Sequence, residues 1–308
     1  MDQQRREQNV ALVSVGSNLT LVIAKGTVGL AIGSVSVLSE ALHSGMDLVA
    51  ALIALFAVRS SGRPADEEHP FGHGKVENVS GMIEALLIFG AAIWIILEAA
   101  KKLLNPEPPE RLGLGVILML ASVVINYFVS GLLFREAERS ESPALEADGW
   151  HLRTDVWTSA GVMAGLGVIW LGERWLPRLD LGWVDPVVAL MVALLIMRAA
   201  WQLTARAGRD LLDAGLPETE RWVAECLAKQ GPPVRGFHHL RTRRAGSTRF
   251  VELHLWVDGQ MSVEDSHQLG DNIVREIKGQ FPNSHVVIHT EPYHGEEGPE
   301  EESRQGNE

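Results

Sequence analysis

Six long apolar segments constrain this chain more than any other feature: roughly residues 10–32, 35–58, 79–103, 113–134, 147–171 and 184–206. A helix that crosses a bilayer needs about 20 mostly apolar residues, and each segment meets that length. Polar or Gly/Pro-containing breaks separate them, most plainly Asn105–Arg111 (NPEPPER). No basic n-region, apolar h-region and cleavage site opens the chain, so the first segment reads as a retained span. Lys and Arg divide between the two sides of the implied bundle. Arg5, Arg6, Arg59, Arg63, Lys75, Arg135, Arg139, Arg206 and Arg209 fall on one, and Lys101, Lys102, Arg111, Arg174 and Arg178 on the other. The richer side is expected to be cytosolic, with both termini there, and an even number of spans agrees.

Two of the segments carry acids that a membrane does not accept freely. His43 and Asp47 lie in the second, His151 and Asp155 at the start of the fifth. Positions i and i+4 share one helix face, so each pair presents an imidazole and a carboxylate together. A carboxylate at the centre of a spanning helix costs ~2.5–3.5 kcal/mol on insertion scales. At 1.5 Å per residue, Asp47 and Asp155 lie ~17 Å and ~12 Å above the inner edge, so the two pairs can stand level. Two imidazoles and two carboxylates make a tetrahedral shell for a divalent metal. The plainer alternative is a local hydrogen bond within each helix. Its weakness is that it must be invoked twice, at the same spacing.

A second cluster sits between the second and third segments. Pro64–Lys75 (PADEEHPFGHGK) holds Asp66, His69 and His73, with Pro70, Gly72 and Gly74 permitting a tight fold. An ordinary polar surface loop is the competing reading.

The last third is polar. Residues 1–208 form the membrane domain and 209–294 a soluble domain, joined at Asp213–Pro217 (DAGLP). Pro217–Gln230 reads as an amphipathic helix. Gly236–Arg243 and Thr248–Val257 alternate as strands about the turn Ala245-Gly246-Ser247. Ser262–Phe281 is a helix opened by Ser262 with Glu264 and Asp265 in its first turn, and Ser284–Glu291 is a final strand. The order α-β-β-α-β implies an α+β sandwich with its helices on one sheet face. Seven of the eleven histidines are here. His238 and His254 fall on neighbouring strands, His267 on the helix, and His289 and Glu291 on one face of the last strand. His239, His285 and His294 are expected in bland roles, His239 pointing away from His238.

Net charge is −12, with six glutamates in residues 295–308 alone. That segment reads as a disordered acidic tail. The acidic balance argues against nucleic-acid binding. Cys226 is the single cysteine, so neither an intrachain disulfide nor a multi-thiolate metal site is available.

Taken together, HSGMD (43–47), PADEEHPFGHGK (64–75), HLRTD (151–155), LLDAGLP (211–217), HHLRTRRAGSTRFVELHL (238–255) and VVIHTEP (286–292) resemble the cation diffusion facilitator family, most closely its bacterial YiiP-type zinc transporters. The resemblance implies six transmembrane helices plus a metallochaperone-like, ferredoxin-like cytosolic domain, in the cell inner membrane. It implies that His43, Asp47, His151 and Asp155 are the transport site, and Asp66, His69 and His73 a loop site. His238, His254, His267, His289 and Glu291 would form cytosolic sites whose Zn²⁺ braces a homodimer. Lys75 and Asp213 match a charge pair tying the loop to the membrane–cytosol joint. His43 stands where some members have Asp, and resembles the more zinc-selective ones. Glu291 stands where Asp is common, which leaves its reach to a metal open. The His-rich stretch some eukaryotic members carry before the fifth span is absent.

The expected function is therefore Zn²⁺ export coupled to proton entry, because an imidazole that binds metal can instead hold a proton. Cd²⁺, Fe²⁺, Co²⁺ and Ni²⁺ are competing cargoes for an N/O shell. Two other classes stand beside it. An intramembrane zinc hydrolase would need a general base such as Glu84, but no HExxH occurs and four filled ligands leave no place for water. A metal sensor that does not transport would share the sites and lack flux.

Overall fold

The computed structural model describes residues 2–32, 35–104, 115–175 and 183–293. The Asn105–Arg111 break, His294 and the acidic tail lie outside them. The chain divides into two compact units, Met1–Gly208 and Arg209–Glu308.

The first unit is built from α1 (Asp2–Ile32), α2 (Val35–Ser61), α3 (Lys75–Leu104), α4 (Gly115–Ser140), α5 (Pro143–Trp175) and α6 (Val184–Leu211). Most of these helices run beyond the apolar segments that announced them. Helices continue past the hydrocarbon into polar turns, so hydropathy under-measures their ends. Five of the six, all but α5, are long and apolar enough to cross a membrane. The first half of α5 instead carries Asp148, His151, Arg153 and Asp155. Exposed Leu42, Phe56, Trp94, Phe128, Leu195 and Trp201 line outer faces, as expected where lipid is the solvent.

Small residues set how closely the helices approach. One core joins Ala11 of α1, Leu55, Ala57 and Val58 of α2, Leu133 of α4, and Leu145 and Leu152 of α5. Another joins Ala85, Ile88 and Ala92 of α3 to Ile196, Ala200 and Leu203 of α6. Two glycines seat α5. A Cβ on Gly149 would lie 3.0 Å from the Phe134 ring, and one on Gly81 would lie 3.2 Å from the Pro143 carbonyl oxygen. Close backbone approach of this kind is how helices associate without a hydrophobic drive between them. Buried Glu77 adds a polar tie by accepting from the Ser61 and Ser142 hydroxyls, which links the ends of α2, α3 and α5.

The second unit has the expected order, α7 (Pro217–Ala228), β1 (Val234–Ala245), β2 (Thr248–Asp258), α8 (Val263–Gln280) and β3 (Ser284–Tyr293). The sheet order is β1-β2-β3. β1 and β2 pair antiparallel through a turn at Gly246, whose φ of 59° suits glycine. β2 and β3 pair parallel, which requires the α8 crossover. Ser262 caps α8 by accepting from the Asp265 amide at 3.1 Å. Val251, Leu253, Leu255 and Val257 alternate onto one sheet face and bury against Val223 and Leu227 of α7 and Ile273 and Ile277 of α8. The even-numbered side chains of β2 therefore occupy the opposite face, away from that core.

Ile273 is fully buried in this core. Ile273→Ala is expected to destabilise the second unit by about 2–5 kcal/mol. Amide hydrogen exchange across β2 and α8 in the full chain checks this, and unchanged protection would contradict the packing described.

Candidate metal centres

The two His–Asp pairs of the membrane unit meet crosswise. His151 Nε2 lies 3.2 Å from Asp47 Oδ1, and His43 Nε2 lies 3.8 Å from Asp155 Oδ1. The imidazole of each helix therefore faces the carboxylate of the other. That pattern follows from antiparallel helices, because the N-terminal residue of one pair then stands level with the C-terminal residue of the other. His43, Asp47 and Asp155 offer ligand atoms within 4.8 Å of one another. Asp47 is buried, and His43 is open to the cavity beside it.

That cavity, of about 190 Å³, is walled by α1, α2, α4 and α5. Besides His43, Asp47 and Asp155 it is lined by Ser122 and Asn126 of α4 and by Lys25 of α1. Sequence reading passed over Lys25. Its signal was available, as a lysine inside an apolar helix with no acid at i±4. Glu84 is fully buried, with Ser80 Oγ 3.2 Å from Oε1. It does not line the cavity, so the geometry gives it no place as a base acting on water there.

The loop cluster also converges. Asp66 Oδ1 lies 3.4 Å from His69 Nδ1, Asp66 Oδ2 lies 3.4 Å from His73 Nε2, and all three ligand atoms fall within 4.8 Å. The fold of the loop explains it. The His69 amide donates to Asp66 Oδ1 at 2.7 Å, the Gly72 amide donates to the His69 carbonyl at 2.9 Å, and Gly72 takes a φ of 82° that favours glycine. That backbone hydrogen bond, helped by the two imidazoles, holds the Asp66 carboxyl below the usual carboxylate range.

On the open sheet face of the second unit, Glu291 takes both neighbouring imidazoles. His238 Nε2 lies 2.8 Å from Oε2 and His254 Nδ1 lies 2.8 Å from Oε1. Glu291 thus reaches both imidazoles. Burial pushes its carboxyl up, but hydrogen bonds from His238 and His254 outweigh that and hold it below the ordinary value. His289 stands beside the group, 3.5 Å from Glu291 and 4.8 Å, ring to ring, from His254.

One expectation needs correction here. His239 does not point away from His238. The pairing of β1 slips between His238 and Arg241, and His239 has a φ of 48°. A bulge breaks strict alternation, and the His239 ring lies 4.7 Å from His238 and 5.2 Å from His254. His267 lies on α8. Its side chain is 73% exposed and faces Asp271 at 3.6 Å, one turn along α8. His285 keeps its bland role against the Phe250 ring. Lys75 and Asp213 fall in different units, and Asp213 lies 3.4 Å from Arg243 within its own. Cys226 is buried, and that burial raises its thiol to about 11, so it offers no ready thiolate.

Residues 11–212 match the cation efflux transmembrane domain, and residues 216–293 match the cytoplasmic domain of cation efflux proteins. The chain belongs to the cation diffusion facilitator family. It is a cation efflux transporter and not an enzyme. It is 33% identical over 260 residues to the cation-efflux pump FieF of Klebsiella pneumoniae, covering 84% of each chain. It is 33% identical over 279 residues to FieF of Shewanella oneidensis, covering 91% of this chain and 92% of that one. The uncharacterized transporter sll1263 of Synechocystis is 35% identical over 283 residues, covering 92% and 89%. Among solved structures, the metal-bound C-terminal domain of the CzcD transporter from Thermotoga maritima is 32% identical, covers 26% of this chain and 95% of its own, and has a TM-score of 0.24.

The sign of the Asp66 shift sets a test. A carboxylate depressed by its folded partners stabilises the loop above ~3.9, and the contribution is lost as pH falls through the lower folded value. Carboxyl-carbon NMR is therefore expected to show Asp66 ionised at pH 4, with the His69 amide protected. In Asp66→Asn that amide should exchange faster at neutral pH. An Asp66 midpoint above ~3.9 would contradict the hydrogen bond assigned to it.

Proposed function

We propose that this cation efflux transporter exports Zn²⁺ from the cytosol across the inner membrane in exchange for protons. The reading rests on one observation, the crosswise meeting of His43 with Asp155 and His151 with Asp47 beside a polar cavity within the helices. Two nitrogens and two oxygens suit a borderline metal in tetrahedral geometry, whereas Mg²⁺ or Ca²⁺ would prefer oxygen alone. Each imidazole binds either metal or proton, never both with the same lone pair. Alternating exposure of such a shell exchanges one for the other.

The other two clusters take supporting roles in this proposal. Asp66, His69 and His73 hold an ion at the membrane surface. His238, His254, His289 and Glu291, with His239 beside them, hold Zn²⁺ on the open sheet face, exposed His267 of α8 adds a ligand to the cytosolic sites, and these sites brace a homodimer. Both termini then lie in the cytosol, and Lys75 pairs with Asp213 in the assembled transporter. Relatives described as cation-efflux pumps support export as the direction. Cd²⁺ and Fe²⁺ are the nearest alternatives, since the same donors accept them.

Zn²⁺ flux into proteoliposomes with an imposed proton gradient is the direct test. Asp155→Ala should abolish it, because it deletes a ligand and leaves nothing in its place. Persistent flux in a folded Asp155→Ala would remove the quartet as the cargo site. His43→Asp should keep Zn²⁺ flux and lower the Zn²⁺/Cd²⁺ ratio, because His43 matches the more zinc-selective members at this place; an unchanged ratio would remove His43 from selectivity.

Charge reversal at Lys75 should lower flux, and the double reversal with Asp213 should restore part of it. Additive effects in that double-mutant cycle would rule the pair out.

A further inference from the structure

Lys25 lines the same cavity as His43, Asp47 and Asp155, and it comes from α1, a helix that supplies none of the four ligands. It is 4% exposed, and its Nζ donates to Ser44 Oγ at 2.9 Å, the residue next to His43. A lysine in this position is costly unless something answers its charge, and Asp47 and Asp155 line the same cavity. The geometry points to Lys25 as a tethered counter-cation of the cargo site, which weakens the hold on metal enough for release. This inference rests on the quartet being the cargo site.

Charge counting gives the reason. With both carboxylates ionised and both imidazoles neutral, the empty quartet carries −2, and Zn²⁺ brings it to zero. That arrangement would make the empty state the expensive one and metal release slow. Lys25 shifts the pair of states to −1 and +1. The empty cavity then costs less inside a low-dielectric bundle, and the loaded one costs more. Binding energy is moved out of the loaded state without removing a ligand. Ser44 helps fix where the charge stands, because its hydroxyl receives the ammonium. The residue is thus a positioning charge that acts on cargo through the field and not through coordination.

The test uses the full transporter in detergent and in proteoliposomes. Lys25→Met and Lys25→Gln remove the charge, and the Gln variant keeps a donor for Ser44. Lys25→Arg keeps the charge. Calorimetric titration with Zn²⁺ should show binding at least about tenfold tighter in both neutral variants, with Lys25→Arg close to wild type. Flux should show KM and kcat falling together, because tighter loading slows release. A purely structural role would lower kcat or folding without tightening Zn²⁺ binding. Unchanged or weaker binding in a folded neutral variant would overturn the inference. So would a requirement for charge in folding alone, with both neutral variants unfolded and Lys25→Arg folded. Asp155→Ala, run in parallel, separates the two ideas. Wild-type flux in that variant counts against the quartet, whereas its loss together with unchanged affinity in the Lys25 variants counts against Lys25 only.

Discussion

An ionised carboxylate inside a helical bundle must be answered by something, and that requirement organises the membrane unit. Asp47 and Asp155 are each met by an imidazole from the other helix, at 3.2 and 3.8 Å. For those meetings to occur α5 must lie against the bundle with little between backbones. Gly149 and Gly81 are where it does so, each with a neighbour too close for an unrelaxed Cβ. The small-residue core of Ala11, Ala57 and Ala144 serves the same end. Packing in this unit places charges at least as much as it stabilises helices.

The soluble unit solves a different problem. Its core comes from the odd positions of β2 pressed on α7 and α8, and the opposite sheet face carries the histidine cluster with Trp256 stacked on His238. Because β2 and β3 run parallel in register, His254 stands opposite His289 and Trp256 opposite Glu291. One bulge in β1 then adds His239 to the same side. The hydrophobic pattern and the polar pattern are two readings of one alternation, which the β1 register shift after His238 interrupts at the cluster.

Much of this was legible in the sequence, for identifiable reasons. The i,i+4 spacing of His43 with Asp47 and of His151 with Asp155 states a shared face whatever the tertiary structure. The strand and helix order of the soluble unit followed from alternation, turn residues and the Ser262 cap. What escaped was set by contacts between elements. Lys25 acquires its meaning only because α1 packs on α2 and brings it to Ser44. His239 was misplaced because no local residue announces the bulge. The helix ends were underestimated because α3 begins at Lys75 and α5 at Pro143, both in polar sequence that hydropathy does not count.

The crosswise quartet has a mechanical corollary. Each of α2 and α5 holds its imidazole and carboxylate one turn apart on a stiff rod, so a sliding helix carries both of its ligands together. A slide of one rod past the other by a single turn, about 5.4 Å, would set imidazole against imidazole or carboxylate against carboxylate and strand the other two residues. A tilt between them would open one rung and keep its neighbour nearly closed. The site therefore behaves as a gauge of the angle between two helices.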